Sequence, residues 1–207
     1  NEGNGTFSKV QNAVTAEGGN SVGSCWGDVD NDGDLDMCLT NYAGAASRFY
    51  VNNGDGTYSL FTTPFSTNGQ RLSNCWGDYD NDGWLDFYAP GGGWSTNANS
   101  KAPWDILWHN NGDLTFTDVS RETGTYDTGW GWAGKFFDYD NDGWLDLYVM
   151  NGWVSAGKDS YVPDIFEMIV KPGVDLADAR SWPPMGSKSL SGYEKKRLFH
   201  NERGQAF

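Results

Sequence analysis

"WGDYDNDGWLDFY" occupies residues 76–88 and carries four aspartates at every second or fourth position between aromatic flanks. Nearly the same phrase occurs three times, and its first aspartate is residue 28, then 78, then 138. The copies are therefore 50 and 60 residues apart, a spacing typical of repeat proteins in which each unit is a small sheet. The phrase marks a repeated structural unit rather than one isolated loop.

A second recurring motif is a turn. It reads "NNGDGTY" at 52–58 and "NNGDLTF" at 110–116, with related versions "NEGNGTF" at 1–7 and "NERGQAF" at 201–207. Asn-Gly and Asp-Gly pairs after apolar residues predict β-hairpin turns, because glycine and asparagine accept a positive φ. Alternation of this turn with the acidic phrase predicts about four antiparallel strands per unit, as in a β-propeller blade. A β-solenoid is less suitable, since its coils are shorter, roughly 20 to 30 residues.

The predicted fold class is all-β, built from four-stranded antiparallel propeller blades. The units cover about 1–51, 52–109 and 110–200 of one domain, and 201–207 begins a further unit. Propellers typically have about four to eight blades, so we expect a fragment of a longer propeller. An insertion at about 151–195 interrupts the third unit, and "VPDIFEMIV" within it predicts a short helix with Asp164 near its start.

Composition narrows the class of protein. The 28 Gly, 11 Trp, 10 Tyr and 11 Phe suit short strands and tight turns. A formal net charge of −14 argues against nucleic acid, because no basic patch neutralises phosphates. No apolar run is long enough to cross a membrane. Nearly half of the 28 acidic residues lie in the three phrases, and this concentration indicates cation sites.

The phrase D-x-D-N-D-G-x-x-D suits a hard cation. Ca²⁺ takes six to eight oxygen ligands at about 2.3–2.6 Å, largely from carboxylates and a backbone carbonyl. Aspartates at positions 1, 3, 5 and 9 would supply the carboxylates, glycine at position 6 would allow the bend, and position 7 would offer its carbonyl. We therefore expect about three structural Ca²⁺ sites. The predicted ligands are Asp28, Asp30, Asp32, Asp34 (carbonyl) and Asp36; Asp78, Asp80, Asp82, Trp84 (carbonyl) and Asp86; and Asp138, Asp140, Asp142, Trp144 (carbonyl) and Asp146.

Two other interpretations of the phrase are weaker. An EF-hand needs a glutamate at position 12 and flanking helices, whereas position 12 here is Leu39, Ala89 and Val149 between strand-like segments. Ordinary turn-forming aspartates would not repeat the same four positions in three copies. The cysteines leave two alternatives open: Cys25 and Cys38 face one another across a hairpin and form a disulfide, or these two and Cys75 are free buried thiols.

The repeat resembles a known family. "WGDVDNDGDLD" and "FFDYDNDGWLD" match the cation loop of FG-GAP/VCBS repeats, which also form integrin α-subunit propellers, and "NNGDGTY" matches their inter-blade turn. "TGWGWAGKFFDYDNDGWLDLYVMNGW", then an insertion and "RLFHN", resembles bacterial secreted proteins of the ASPIC/UnbV type, related to cartilage acidic protein. The resemblance implies a calcium-stabilised propeller of roughly seven blades, of which this chain is a fragment, secreted or at the cell surface and used in adhesion or interaction.

We expect no enzymatic activity. His109 and His200 precede the turn asparagine at equivalent repeat positions, which favours a structural role, and no Ser-His-Asp, zinc or phosphate motif is present. The expected partner is a protein or a surface polysaccharide, and assembly into a larger complex is compatible with the sequence. The alternative is a carbohydrate-binding module, or the propeller of a polysaccharide-active enzyme. Its candidate sugar-stacking residues are Trp94, Trp104, Trp130, Trp132, Trp153 and Trp182.

Overall fold

The computed structural model describes residues 2–16, 18–41, 45–66, 71–91, 105–126, 128–129, 131–151, 161–170, 172–175, 177–188 and 195–207. This part of the chain has two α-helices, α1 (Ala13–Ala16) and α2 (Val162–Val170), and short 3₁₀ helices at Pro64–Ser66 and Ala179–Ser181. The strands are β1 (Ser21–Gly27), β2 (Asp36–Asn41), β3 (Arg48–Asn52), β4 (Tyr58–Phe61), β5 (Cys75–Gly77), β6 (Asp86–Ala89), β7 (Ile106–Asn110), β8 (Phe116–Asp118), β9 (Gly131–Phe137), β10 (Asp146–Asn151) and β11 (Arg197–Phe199).

The strands form three separate antiparallel sheets. Sheet 1 has the order β1-β2-β3-β4, sheet 2 has the order β5-β6-β7-β8, and sheet 3 has the described strands β9-β10-β11. Each sheet is an up-and-down meander, because every strand pairs with its neighbour in the chain. The predicted all-β class with propeller-blade sheets is confirmed.

Each sheet is offset from the predicted sequence units by one strand. The acidic phrase joins the first and second strands of each sheet, and in sheets 1 and 2 the Asn-Gly turn joins the third and fourth. In these two sheets the strand after the turn therefore completes the sheet that the turn follows. The "NERGQAF" turn is closed by the same backbone hydrogen bond as the turn at 52–58. Glu202 N donates to the Ala206 carbonyl, and Asn53 N donates to the Thr57 carbonyl.

Consecutive sheets pack face to face. Phe49 and Cys38 of sheet 1 share an apolar cluster with Phe87 and Ile106 of sheet 2. A second cluster joins sheets 2 and 3, with Tyr88 and Leu107 on one side and Leu147 and Val149 on the other. Alternate residues of each central strand thus face the preceding and the following sheet, so the core lies between sheets rather than within one.

Two glycines allow a close approach between consecutive sheets. Gly27 and Gly77 each directly precede the first aspartate of their acidic loop. A Cβ at Gly27 would lie 3.1 Å from Trp76, and one at Gly77 would lie 2.6 Å from Phe136. An aromatic ring of the next sheet therefore rests directly on the backbone. Any side chain at these two positions would force the sheets apart.

The three cysteines are free thiols. Cys25 and Cys38 are direct cross-strand partners in β1 and β2, as the hairpin spacing predicts. Cys38 and Cys75 are buried and Cys25 is half-buried, and all three pack within the clusters between sheets. Burial raises the pKa of the Cys75 thiol to about 12. The structure thus agrees with the second alternative, in which the cysteines act as small apolar residues.

The insertion contains the predicted helix. α2 has Asp164 in its first turn, and Lys188 Nζ donates to both carboxylate oxygens of Asp164 at 2.8 and 2.6 Å.

Two of the candidate sugar-stacking residues lie in the described part of the chain: Trp132 is 38% exposed and Trp182 is 44% exposed. The other candidate sugar-stacking residues, Trp94, Trp104, Trp130 and Trp153, lie outside the described residues, as do positions 152–160 and 189–194 of the insertion and 92–104 of the smaller loop.

Candidate cation loops

The three acidic loops share one backbone conformation. φ lies between 55° and 63° at the fourth loop position and between 90° and 96° at the sixth. Asparagine tolerates the left-handed conformation better than most residues, and only glycine reaches a φ near 90° without strain. The N-D-G part of the phrase is therefore required by the turn itself. The residues concerned are Asn31, Asn81 and Asn141 at the fourth position and Gly33, Gly83 and Gly143 at the sixth.

The first aspartate closes the loop on itself. Asp78 accepts hydrogen bonds from Asp82 N at 3.1 Å and from Gly83 N at 3.0 Å. Asp82 then accepts from Trp84 N at 2.9 Å. The first and third loops repeat this arrangement around Asp28 and Asp138. The carboxylates at positions 1 and 5 are thus held in place by the backbone they enclose.

The ninth aspartate is buried beneath the loop. The Asp86 side chain is fully buried; its Oδ2 accepts from Tyr79 N at 3.1 Å and its Oδ1 from Asn110 N at 2.9 Å. Asp36 and Asp146 make the same pairs of bonds in the first and third loops. This carboxylate therefore ties its acidic loop to the Asn-Gly turn of the same sheet. Sequence analysis assigned it to the cation alone, and the structure adds this second role.

The predicted carboxylates converge in all three loops. Oxygen atoms from the aspartates at positions 1, 3 and 5 lie within 4.8 Å of one another in the first and second loops, and those from positions 1, 3 and 9 do so in the third. Like charges this close repel one another strongly in the absence of a cation. The sets are Asp28, Asp30 and Asp32; Asp78, Asp80 and Asp82; and Asp138, Asp140 and Asp146.

Two histidines join these clusters, which the sequence analysis missed. His109 Nδ1 lies 3.2 Å from both Asp80 Oδ2 and Asp86 Oδ1. His200 Nδ1 lies 3.3 Å from Asp146 Oδ1 and 3.6 Å from Asp140 Oδ2. Both histidines directly precede the turn asparagine, and the backbone N–H of that asparagine donates to the ninth aspartate. Their shared position in the repeat was the sequence signal that could have identified them. The first loop has Val51 at this position, so its donor set contains only oxygen.

Each loop also contains one buried polar atom that forms no hydrogen bond. These atoms are Asp30 Oδ1 in the first loop, His109 Nδ1 in the second and His200 Nδ1 in the third. A buried donor or acceptor without a partner costs about 1–3 kcal/mol. A cation held by the surrounding aspartates would supply the missing interaction, so the residues present fit a bound metal ion.

The seventh position has a packing role through its side chain. A Cβ at Gly112 would lie 2.8 Å from the Trp84 ring, and one at Gly54 would lie 2.8 Å from Asp34 Oδ2. Trp144 similarly lies within 3.0 Å of a Cβ built on Gly204. The side chain thus covers the turn glycine of its own sheet. The carbonyls of Asp34, Trp84 and Trp144 remain predicted ligands.

Burial makes these carboxylates hard to ionise without a cation. Burial raises the pKa of Asp86 to about 8, although hydrogen bonds from Asn110 N and Tyr79 N oppose the shift. The pKa of Asp80 is raised by burial and then by the charge of Asp82. Burial also raises the pKa values of Asp30 and Asp36. The first and second loops are therefore electrostatically unfavourable sites that a divalent cation would relieve.

The loops are bonded to one another across the sheets. Asn31 Nδ2 donates to the Gly83 carbonyl at 3.0 Å, and Asn81 Nδ2 donates to the Gly143 carbonyl at 3.1 Å. The turn asparagines bond in the opposite direction: Asn110 Nδ2 donates to the Val29 carbonyl at 2.9 Å and Asn201 Nδ2 to that of Tyr79 at 2.7 Å. The three loops thus form one continuous edge of the stacked sheets.

Stacked four-stranded meanders with an acidic loop between the first two strands define a β-propeller-like repeat module. The chain belongs to the FG-GAP-like repeat family, whose model matches residues 1–39, 32–89 and 94–149. Each match includes one complete acidic loop. No curated protein matches the chain. Neither α1 nor α2, nor any other helix in the described ranges, has the length and apolar character needed to cross a membrane.

Proposed function

We propose that this chain is a non-enzymatic, calcium-stabilised extracellular propeller module that mediates adhesion, protein–protein interaction or surface assembly. The observation that carries the proposal is the convergence of three aspartates in every acidic loop, within 4.8 Å in each case. Each cluster also has a buried polar atom that lacks a hydrogen bond. Membership in the FG-GAP-like family and the sequence resemblance to secreted ASPIC/UnbV-type and integrin-like blades support the extracellular assignment.

The donor atoms favour Ca²⁺ most clearly in the first loop. Asp28, Asp30 and Asp32 present only oxygen, which is the ligand Ca²⁺ prefers. The second and third loops add the imidazoles of His109 and His200, and imidazole nitrogen also suits Zn²⁺ and other transition metals. We therefore expect Ca²⁺ to bind all three loops, and Zn²⁺ or Mn²⁺ to compete better at the second and third loops than at the first.

The absence of activity is proposed from the histidines. The chain has two histidines, and the polar atoms beside both are the aspartates of the acidic loops. Backbone N–H groups hold Asp86 and Asp146 beside them. A cation shared by each imidazole and its aspartates would occupy the imidazole nitrogen, whereas general acid–base catalysis needs a nitrogen free to exchange a proton with a substrate.

Calorimetric titration of chelator-treated protein with CaCl₂ tests the proposal. We expect about three equivalents to bind and the melting temperature to rise with Ca²⁺ concentration, since a ligand that binds only the folded state stabilises it by about 2.7 kcal/mol at 100 times its dissociation constant. Asp78→Asn should remove one equivalent. The matched control is Asp113→Asn, an exposed aspartate that accepts only from Thr115 of its own turn. Unchanged melting with CaCl₂, or equal loss of binding in both variants, would contradict the calcium sites.

A further inference from the structure

The histidines divide the three acidic loops into two kinds. His109 and His200 directly precede the turn asparagine of sheets 2 and 3, whereas Val51 stands at that position in sheet 1. Each imidazole also makes an edge-to-face contact with the tyrosine at the second loop position. The ring centroids are 6.4 Å apart for Tyr79 and His109, and 6.0 Å apart for Tyr139 and His200. This contact restricts the orientation of the imidazole, so the second and third loops have a positioned nitrogen donor that the first lacks.

The position of His109 Nδ1 is that of a ligand sharing one metal ion with two carboxylates. It lies 3.2 Å from Asp80 Oδ2 and 3.2 Å from Asp86 Oδ1. Donor atoms about 2.0–2.2 Å from one transition-metal ion are roughly 2.8–3.6 Å apart in octahedral and tetrahedral coordination. The corresponding separations in the third loop are 3.3 and 3.6 Å. Both histidines therefore meet the distance requirement for a ligand.

A protonated imidazole that itself serves as the counter-ion fits this geometry less well. It would donate its Nδ1 proton to one carboxylate, yet His109 Nδ1 forms no hydrogen bond with Asp80 or Asp86 although both are close. The His109 and Asp80 side chains are 24% and 21% exposed, whereas Asp86 is fully buried. An ion can thus enter from solution and be held on its inner side by a buried carboxylate.

We propose that His109 and His200 bind a transition-metal ion directly through Nδ1, so that Zn²⁺ displaces Ca²⁺ from the second and third loops. Imidazole nitrogen suits Zn²⁺, whereas Ca²⁺ takes oxygen ligands. The first loop keeps Ca²⁺, because Val51 supplies no donor atom. The inference rests on the proposed cation loops and adds a second metal to them. The Zn²⁺ ligands are His109, Asp80 and Asp86 in the second loop and His200, Asp140 and Asp146 in the third.

Equilibrium dialysis against equal free concentrations of Ca²⁺ and Zn²⁺ tests the proposal on chain that has no histidine tag. Atomic emission counts the bound metals, and we expect about one Ca²⁺ and about two Zn²⁺ per wild-type chain. His109→Val gives sheet 2 the residue of sheet 1, so the variant should bind about two Ca²⁺ and one Zn²⁺. Zn²⁺ affinity at its second loop should fall at least about tenfold.

The reciprocal variant keeps the test independent of any loss of folding. Val51→His gives the first loop an imidazole and should raise the bound Zn²⁺ to about three per chain. Thr117→Val changes the strand partner of His109 outside the loop; it is the matched control and should bind both metals as the wild type does. Circular dichroism and an unchanged total of bound ions establish that each variant is folded.

Nitrogen NMR of the imidazoles identifies the ligand atom. The chain has two histidines, so His109→Val and His200→Val assign both sets of signals. Zn²⁺ should shift each Nδ1 signal far more than Ca²⁺ does. Zn²⁺ bound without this shift, or retained at the second loop of folded His109→Val, would overturn the proposal. Three bound Ca²⁺ that Zn²⁺ does not displace would also overturn it, while leaving the calcium sites intact. Zn²⁺ uptake through both histidines without Ca²⁺ binding would support it and contradict the calcium sites.

Discussion

Raising the pH should destabilise the metal-free protein through Asp86. Burial raises the pKa of this carboxyl from 3.8 to about 8. The folded protein therefore holds the Asp86 proton more tightly than the unfolded chain does. The resulting stabilisation is fully present below pH 3.8 and is lost as the pH rises through about 8. This direction is opposite to that of an aspartate in a salt bridge, whose pKa is lowered.

The size of the effect follows from the same shift. Buried Asp105 has a pKa of about 6, so a comparison between about pH 6.5 and pH 8.5 largely leaves its titration out. Over that interval a carboxyl with a pKa near 8 loses about 2 kcal/mol of stabilising free energy by proton linkage. For a chain of this length, 1 kcal/mol corresponds to about 2–4 °C in melting temperature. We expect the melting temperature in chelator to fall by about 4–8 °C.

Differential scanning calorimetry in a chelating buffer measures this change. Asp86→Asn should lower stability at every pH, because an amide cannot accept from both Tyr79 N and Asn110 N, yet it should lose the additional fall between the two pH values. The matched control is Asp113→Asn, which removes an exposed carboxyl whose pKa is lowered by hydrogen bonds from Thr115. That variant should keep the wild-type pH dependence.

Saturating Ca²⁺ should abolish most of the pH dependence, because a bound cation neutralises the ionised carboxylates that burial disfavours. The increase in melting temperature caused by Ca²⁺ should therefore be larger at pH 8.5 than at pH 6.5. A melting temperature in chelator that is constant or rises over this interval would refute the reasoning about Asp86. So would an Asp86→Asn variant that retains the full wild-type decrease.

Two further predictions concern the contacts between sheets. Asn110→Ala removes the fully buried amide that donates to the Val29 and Leu85 carbonyls, and urea titration should show a free energy of unfolding about 2–4 kcal/mol lower than that of the wild type. The control Asn52→Ala should lose less stability, because the Asn52 side-chain amide donates only within sheet 1. Equal losses in the two variants would contradict a bridging role for Asn110. Gly77→Ala should lower the free energy of unfolding by about 1–3 kcal/mol, because the added methyl group overpacks the contact with the adjacent sheet. Gly18 has open space around it, so Gly18→Ala should lower this free energy by less than about 1 kcal/mol. Similar urea midpoints for the two variants would contradict the close approach at Gly77.

The acidic loop was predictable because its spacing is a physical constraint. Carboxylates at positions 1, 3 and 5 with glycine at 6 specify both the bend and the converging oxygens, so Asp78, Asp80 and Asp82 could be assigned from the sequence. The alternation of loop and turn likewise predicted the four-stranded meander. Both signals are local, and each copy repeats them.

The histidines and asparagines were not predictable in the same way. His109 reaches Asp80 only because β7 pairs beside β6 and the turn asparagine binds Asp86. Asn31 reaches the Gly83 carbonyl only because sheet 2 stacks on sheet 1. These contacts depend on the register between strands and on the distance between sheets. A repeat pattern in one sequence contains neither quantity, although it does show that the residues are equivalent.

The geometry makes each acidic loop part of the contact between sheets. Asp86 connects the second loop to the turn at Asn110, and the amide of Asn110 then bonds the first loop at the Val29 carbonyl. Asn81 extends the connection to the third loop through the Gly143 carbonyl. A cation that fixes one set of aspartates therefore also fixes the atoms that hold the neighbouring loops. It follows that the three loops should not act independently: emptying the second loop should weaken binding at the first and third, since it alone bonds both neighbours.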